Sequence, residues 1–156
     1  METVVSGIRP TGNLHLGNYF GAVKSFLQMQ EEYNCFFFIA DWHSLTTHPH
    51  PDNIRNSAKT ILSEYLACGL DPEKATIYVQ SDVPEVVELY LNLNMNAGIG
   101  ELMRTASFKD KARQQLHISR EGSEGDVERE IFNEGNKHSV SAGLLTYPTL
   151  MAADII

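Results

Sequence analysis

The chain has 156 residues, of which 42% are hydrophobic and 21% are charged, and its formal net charge is −8. A chain of this length and composition can bury enough surface for a globular domain. The acidic balance argues against a generally basic nucleic-acid-binding surface, because phosphate contacts are made by Lys and Arg.

Membrane insertion and export are not indicated by the sequence. No stretch approaches the roughly 18 apolar residues of a membrane span, and Met1–Thr3 lacks the basic flank of a signal peptide. Cys35 and Cys68 show no close metal-binding spacing and are expected to be reduced thiols. We therefore expect a cytoplasmic protein with no membrane partner.

The N-terminal segment predicts a strand, a loop and a helix in that order. Thr3–Val5 is a β-branched run that breaks at Gly7, and a turn rich in Pro and Gly follows. From Leu16 onward, the apolar residues recur with helical spacing.

The same alternation of strand and helix then recurs. Cys35–Ala40 is an apolar run of strand length, and the pattern from Asp52 to Leu66 predicts a helix that Gly69 caps. Ala75–Gln80 predicts a third strand, followed by a helix that opens at Asp82. Strands alternating with helices predict an α/β fold, a Rossmann-like parallel sheet with flanking helices.

The last third of the chain divides into a polar and an apolar part. Residues 114–138 are polar and acidic without sustained periodicity, which predicts a mobile surface excursion. Apolar helical spacing resumes near Val140 and reaches Ile156 without a capping residue. We therefore expect the natural protein to continue beyond this chain.

The turn between the first strand and the first helix, GIRPTGNLHLGNY at residues 7–19, is the most informative segment. Ligands of open parallel sheets bind at such turns. Gly12 and Gly17 permit close backbone approach, and His15 and Asn18 project together near a helix N-terminus. These features suit a nucleotide phosphate, although the turn is neither a Walker A loop nor a GxGxxG fingerprint.

The segment TGNLHLGNY at 11–19 resembles the HIGH signature of class I aminoacyl-tRNA synthetases in its tryptophanyl form, with Asn18 in place of the final His. Further segments resemble the same family in the same order: IADWH at 39–43, VQSDVP at 79–84, GEL at 100–102 and SAGLLTYPTLMAADI at 141–155. The resemblance covers nearly all of the chain outside 114–138.

This resemblance implies an enzyme that activates L-tryptophan with ATP to tryptophanyl-adenylate and transfers the amino acid to tRNA(Trp). Five residues would hold ATP: Arg9, Thr11, His15, Gly17 and Asn18. His15 and Asn18 would contact the phosphates and act in catalysis. Mg²⁺ would arrive with ATP, and no metal site of the protein's own is expected.

The family's tryptophan pocket would fall on six residues: Val5, Gly7, His43, Tyr147, Met151 and Asp154. The last three are four and three residues apart, so they share one helical face. A carboxylate in that apolar stripe is costly to bury without a donor, so we expect Asp154 to accept the indole N–H.

The resemblance also has consequences for assembly. Residues 83–109 resemble the family's dimer interface, which implies a homodimer. Residues 1–156 would form the N-terminal part of the nucleotide-binding catalytic domain, with a polar insertion at about 114–138. The KMSKS loop, the remainder of that domain and the anticodon-binding domain would lie outside this chain, which would be poorly active alone.

Three alternatives stay open at the level of sequence. The first is a tyrosyl-tRNA synthetase, whose fold and chemistry are similar. The second is another adenylyltransferase with an HxGH-like turn. The third is a non-catalytic ligand-binding or dimerisation fragment, because the chain contains no KMSKS loop.

Overall fold

A computed structural model of the chain describes residues 2–46, 50–118, 124–133, 135 and 140–156. These residues form two compact units, one mainly of Met1–Val86 and the other mainly of Val87–Asp154. Each unit has its own cluster of buried apolar side chains. Within the described ranges, no helix is long and apolar enough to cross a membrane.

The first unit contains a parallel sheet of the strands β1 (Thr3–Ile8), β2 (Asn34–Ile39) and β3 (Ala75–Val79), in the order β1-β2-β3. Strand β2 pairs in parallel with both β1 and β3, and Val5 of β1 lies opposite Phe36 of β2. Parallel strands need long crossover connections, which the helices between them supply. The predicted Rossmann-like α/β fold is confirmed.

β1 is longer than the sequence predicted. It continues through Gly7 to Ile8, and Gly7 pairs with Phe38 of β2. A Cβ atom at Gly7 would lie 2.6 Å from the carbonyl oxygen of Phe38, so only glycine fits this close approach. The predicted strand end at Gly7 was therefore wrong, because this glycine serves packing inside the sheet.

The helix predicted from Leu16 is confirmed, but it has three consecutive parts. These are α1 (Leu16–Asn18), a π-helical segment (Tyr19–Val23) and α2 (Lys24–Met29). π-Helical turns inside α-helices occur frequently at functional sites.

Two short helical pieces directly follow strands. Helix α3 (Asp41–Ser44) follows β2, and a 3-10 turn (Gln80–Asp82) follows β3. Both pieces therefore lie at the C-terminal edge of the parallel sheet, where ligands of such sheets bind.

Helix α4 (Pro51–Ala67) is the long crossover helix before β3, and Gly69 caps its C-terminal end as predicted. Gly69 has a φ of +104°, a conformation that favours glycine. The N–H of Leu70 donates to the Tyr65 carbonyl at 3.0 Å, and the N–H of Gly69 donates to the Leu66 carbonyl at 3.0 Å. This pair of bonds is a Schellman cap, which satisfies two carbonyls at the helix end.

Aromatic contacts hold α2 and α4 on the sheet. The Phe26 ring stacks on Phe37 with centroids 4.2 Å apart, and Tyr65 meets Phe26 edge-on at 6.1 Å. Burial raises the pKa of the Tyr65 hydroxyl. Burial also raises the pKa of the Cys35 thiol, which is free like that of Cys68, as predicted.

The second unit is mainly helical. Its elements are α5 (Glu85–Asn96), α6 (Ile99–Arg104), α7 (Ala106–Gln115), α8 (Glu124–Ile131) and α9 (Ala142–Ile155). Its buried cluster contains Phe108, Ala112, Val127, Leu144 and Tyr147. The Ser141 hydroxyl oxygen caps α9 by accepting the N–H of Leu144 at 3.1 Å.

The prediction of an irregular excursion at 114–138 was wrong for part of that segment. Residues 124–131 form α8, and Val127 is only 2% exposed within the buried cluster of the second unit. The segment has too few apolar residues to show a helical pattern, yet it forms a helix whose Val127 side chain is buried. Residues 119–123, 134 and 136–139 of the segment lie outside the described part of the chain.

Candidate active site

The turn that follows β1 begins with a tight reversal. The N–H of Thr11 donates to the Arg9 carbonyl at 2.9 Å, and Gly12 has a φ of +122°, which a side chain would strain. Arg9 is half-buried, and Thr11 is exposed. The turn therefore presents a polar, accessible surface at the C-terminal end of β1.

His15 and Asn18 hold each other through two reciprocal hydrogen bonds. The Asn18 backbone N–H donates to His15 Nδ1 at 3.3 Å, and the His15 backbone N–H donates to Asn18 Oδ1 at 3.2 Å. His15 is thus the N-cap of α1 in a capping box, with an imidazole in the usual place of Ser or Thr.

This pairing fixes which atoms of the two side chains can donate. Because Nδ1 of His15 accepts a hydrogen bond, the neutral ring carries its proton on Nε2. Because Oδ1 of Asn18 accepts, the amide nitrogen of Asn18 is left as a donor. His15 is exposed and Asn18 is half-buried, so the turn offers two oriented N–H donors. Oriented donors at a helix N-terminus suit an anion such as a phosphate.

Gly17 provides the space that the His15 ring occupies. A Cβ atom at Gly17 would lie 2.9 Å from both Cε1 and Nδ1 of His15. The sequence suggested that Gly17 permits backbone approach to a ligand. The geometry adds a role inside the protein, because glycine allows the imidazole to cap α1.

At the C-terminal edge of β2, one carboxylate links two strand ends. Asp41 Oδ1 accepts the N–H of Trp42 at 3.0 Å and the N–H of Ser81 at 3.1 Å. His43 lies on the same short helix, α3, and is half-buried. The position of His43 therefore depends on a bond between the segments that follow β2 and β3.

The other predicted residues of the first unit lie on β1. Val5 and Gly7 are two residues apart, so they face the same side of the sheet, and both are partly buried. The close contact of Gly7 with Phe38 gives it a packing role whether or not it also meets a ligand.

The three predicted residues of the second unit share one face of α9, as expected from their spacing. Tyr147 is buried, its hydroxyl donates to Ser107 Oγ, and the Lys111 ammonium lies 4.4 Å from its ring centroid. Met151 is 49% exposed and Asp154 is half-buried. The face therefore includes a core position at Tyr147, a surface position at Met151 and a partly exposed carboxylate at Asp154.

A cavity of about 370 Å³ in the first unit contains none of the predicted site residues. Apolar side chains and two residues of each charge line it: Asp41, Trp42, Leu45, Pro51, Ile54, Arg55, Ala58, Lys59, Leu62, Val79, Ser81 and Asp82. Nothing in the sequence pattern marked this cavity, because its lining comes from three separate segments. Across the part of the chain that the structure describes, no group of three or more His, Cys, Asp or Glu residues is placed to hold a metal ion.

Comparison with known proteins shows the family to which the chain belongs. Residues 1–156 match the family model of the tRNA synthetases class I (W and Y). The chain belongs to this family. The resemblance of the chain to the class I aminoacyl-tRNA synthetases is thereby confirmed.

Two curated relatives of this chain are tryptophan–tRNA ligases. Tryptophan–tRNA ligase of Porphyromonas gingivalis is 70% identical over 156 residues, covering 100% of this chain and 41% of that protein. Tryptophan–tRNA ligase of Mycoplasmopsis pulmonis is 46% identical over 155 residues, covering 99% and 42%. The chain thus spans about two-fifths of the length of these curated relatives.

The fold agrees with solved structures of the family. The crystal structure of tryptophanyl-tRNA synthetase from Campylobacter jejuni, complexed with ADP and tryptophan, superposes with a TM-score of 0.78 at 35% identity. The match covers 100% of this chain and 42% of that one.

Proposed function

We propose that the full-length protein activates L-tryptophan with ATP to form tryptophanyl-adenylate and then transfers the amino acid to tRNA(Trp). The relatives named above are tryptophan–tRNA ligases at 70% and 46% identity, which supports this assignment. The Campylobacter protein, which binds ADP and tryptophan in its crystal, supports the same pair of small substrates.

The observation that carries the proposal is the reciprocal bonding of His15 and Asn18. Each side chain accepts a hydrogen bond from the backbone N–H of the other residue and keeps an N–H group as a donor. Such preorganised donors stabilise negative charge that develops on phosphate oxygens in a transition state. We assign His15 and Asn18 as the catalytic residues on this basis.

The proposed chemistry proceeds in two balanced steps. A carboxylate oxygen of tryptophan attacks the α-phosphorus of ATP, and the bond from that phosphorus to the bridging oxygen breaks, releasing pyrophosphate. A terminal ribose hydroxyl of tRNA then attacks the acyl carbon, loses its proton, and releases AMP. No covalent enzyme intermediate is needed, so positioning and charge stabilisation are the protein's contribution.

We propose that Arg9, Thr11 and Gly17 complete the ATP site around the two donors. Arg9 is always cationic and suits phosphate oxygens, and the exposed Thr11 hydroxyl can bond to the nucleotide. Mg²⁺ is proposed to arrive on the phosphates of ATP, where it neutralises charge.

On the family resemblance, six residues are proposed to contact tryptophan: Val5, Gly7, His43, Tyr147, Met151 and Asp154. Asp154 has the specific role, because indole nitrogen is a donor only and a carboxylate is an acceptor only. Since the hydroxyl of Tyr147 is bonded to Ser107, we propose that Tyr147 contacts the substrate through its ring.

We also propose a homodimer formed through α5 and α6. Val87, Leu91 and Met95 repeat every four residues along α5, and all three are exposed, as is Ile99 at the start of α6. A side of α5 next to this stripe contacts α9, because the Tyr90 hydroxyl lies 2.7 Å from Thr146 Oγ1. An exposed apolar stripe on a helix held in this way fits a second copy of the chain.

Charging of tRNA further implies a cytoplasmic location.

Amino-acid-dependent exchange of pyrophosphate into ATP tests the proposed function. The full-length protein is assayed with tryptophan, tyrosine, phenylalanine and the tryptophan analogue in which sulfur replaces the indole N–H. We expect exchange with tryptophan at a kcat/KM about 10⁴-fold above that with phenylalanine, because phenylalanine has no N–H to donate to Asp154. Faster exchange with tyrosine than with tryptophan would instead indicate a tyrosyl-tRNA synthetase. No exchange with any of the four amino acids would contradict the proposed enzymatic activity.

The variant Asp154→Ala tests the recognition role within the same assay. A hydrogen bond to a charged group is worth roughly 1.5–3 kcal/mol, so the variant is expected to lose about 10- to 100-fold in kcat/KM with tryptophan. The sulfur analogue has no N–H to lose and should suffer much less. Asp110→Ala, at an exposed carboxylate of α7, is the matched control. An equal fractional loss with both substrates would remove Asp154 from the recognition role.

A further inference from the structure

A side chain of α4 holds the backbone of the phosphate turn. The N–H of Leu14 donates to Glu64 Oε2 at 2.8 Å, which links two positions 50 residues apart in sequence. Leu14 directly precedes His15, the capping residue of α1. The Glu64 carboxylate therefore contacts the chain one residue away from the imidazole that orients the site.

Glu64 is attached to a rigid part of the first unit. Its helical neighbours Ile61 and Tyr65 are fully buried, and Tyr65 packs against Phe26 in the core. Glu64 itself is half-buried at the edge of that buried face. Side chains supported by packed elements hold a site more closely than loop residues do.

Three hydrogen bonds thus fix the turn on the two sides of His15. On one side, Glu64 accepts the Leu14 N–H, and on the other, Asn18 and His15 cap each other. A carboxylate is unsuited to bind phosphate directly, because like charges repel. It is suited to hold a backbone N–H, because a charge-assisted hydrogen bond is stronger than a neutral one.

We infer that Glu64 is a positioning residue for ATP activation, holding the Leu14 backbone so that the donors of His15 and Asn18 keep their direction. The inference rests on the proposed function, since it assigns the donors to the phosphates of ATP. Loss of the bond lets the turn move relative to α4 and disperses the orientation of the two donors. Small misplacements of this kind can lower rates by about 100-fold.

The test compares variants of Glu64 in the full-length protein by tryptophan-dependent pyrophosphate exchange. Glu64→Ala and Glu64→Met remove the acceptor, and Met keeps the length of the side chain and a good helix propensity. Glu64→Gln keeps an acceptor oxygen. Glu31→Ala is the matched control, because Glu31 also accepts a hydrogen bond at 2.8 Å, from Lys74 on the surface.

We expect kcat/KM for ATP to fall about 10- to 100-fold in Glu64→Ala and Glu64→Met, while tryptophan binding measured without ATP changes less than about twofold. Glu64→Gln should recover most of the activity, and Glu31→Ala should retain it. Hydrogen–deuterium exchange over residues 12–19 should quicken in the Ala and Met variants alone, because the Leu14 amide loses its acceptor.

Three results would overturn the inference: unchanged ATP kinetics in both Ala and Met variants, equal losses in the Gln and Ala variants, or a parallel loss of tryptophan binding. The last would mean that Glu64 supports the fold generally. Failure of the proposed function is distinguishable, because it would be seen in the unmodified protein as absence of tryptophan-dependent exchange.

Discussion

Gly17 and Gly21 lie four residues apart in the same helical stretch, yet a side chain would meet very different surroundings at the two positions. At Gly17 a Cβ atom would press on the His15 ring at 2.9 Å, whereas at Gly21 nothing lies within 4 Å. Alanine favours a helix over glycine by about 1 kcal/mol at either position. The two sites therefore separate helix propensity from the fit of the imidazole.

Gly17→Ala is expected to lower kcat/KM for ATP by about 10- to 100-fold, because the new methyl group displaces His15 from its cap and turns its Nε2–H away. Gly21→Ala should leave these kinetics unchanged and slightly stabilise the protein. Tryptophan-dependent pyrophosphate exchange and thermal unfolding of both full-length variants make the comparison. Equal kinetics in the two variants would show that the cap does not orient His15.

At the scale of single residues, the sequence predicted candidates but not their internal contacts. The spacing of His15 and Asn18 predicted that they project together, and the two are mutually hydrogen-bonded. The bond from Leu14 to Glu64 crosses 50 residues, and no local pattern contains that information. Glu64 lies beside an apolar stripe, where a helical pattern predicts only the edge of a solvated face.

At the scale of elements, Asp41 connects the segments that follow two neighbouring strands. One oxygen of Asp41 accepts the N–H of Trp42 within α3 and the N–H of Ser81 in the 3-10 turn after β3. Because a charged acceptor makes stronger bonds than a neutral one, this carboxylate stabilises the C-terminal edge of the sheet where His43 lies. The same edge is where ligands of parallel sheets bind.

Asp41→Ala is expected to speed amide exchange at Ser81 by about tenfold or more, since the lost bond to a charged group is worth roughly 1.5–3 kcal/mol. Asp41→Asn keeps the acceptor oxygen and should show a much smaller change. Asp71→Ala is the control, because Asp71 Oδ1 accepts the N–H of Glu73 within its own turn. Hydrogen–deuterium exchange of the peptide spanning residues 79–84 reports the difference, and identical exchange in all three variants would contradict the link.

The elements with strong periodicity were predictable, and the exceptions have physical reasons. Helix α4 and its glycine cap followed from apolar spacing and one Gly, because both depend on nearby residues. The end of β1 was misplaced, because Gly7 is required by the carbonyl of Phe38 on another strand. Helix α8 was missed, because packing of Val127 in the second unit outweighs the polar composition around it.

At the scale of the whole molecule, the exposed stripe on α5 is the feature that a single chain leaves unexplained. Leu91 is 52% exposed and Met95 is 78% exposed, one turn apart on the same face. Soluble monomers rarely expose contiguous large apolar patches. A two-fold dimer covers such a stripe with the same stripe of the second copy, so one substitution appears twice in the interface.

The double variant Leu91→Glu with Met95→Glu is therefore expected to dissociate the proposed dimer. Each uncompensated buried charge costs about 3–5 kcal/mol, and the two-fold axis brings like charges together. The dissociation constant should rise at least about 100-fold, which sedimentation of the full-length protein across a concentration series detects as half the mass. Leu62→Glu with Leu66→Glu is the matched control, because these residues are also four apart and exposed, on α4. The control should keep the mass of the unmodified protein. A mass that stays unchanged in the α5 variant, or that falls equally in both variants, would rule out this stripe as the dimer interface.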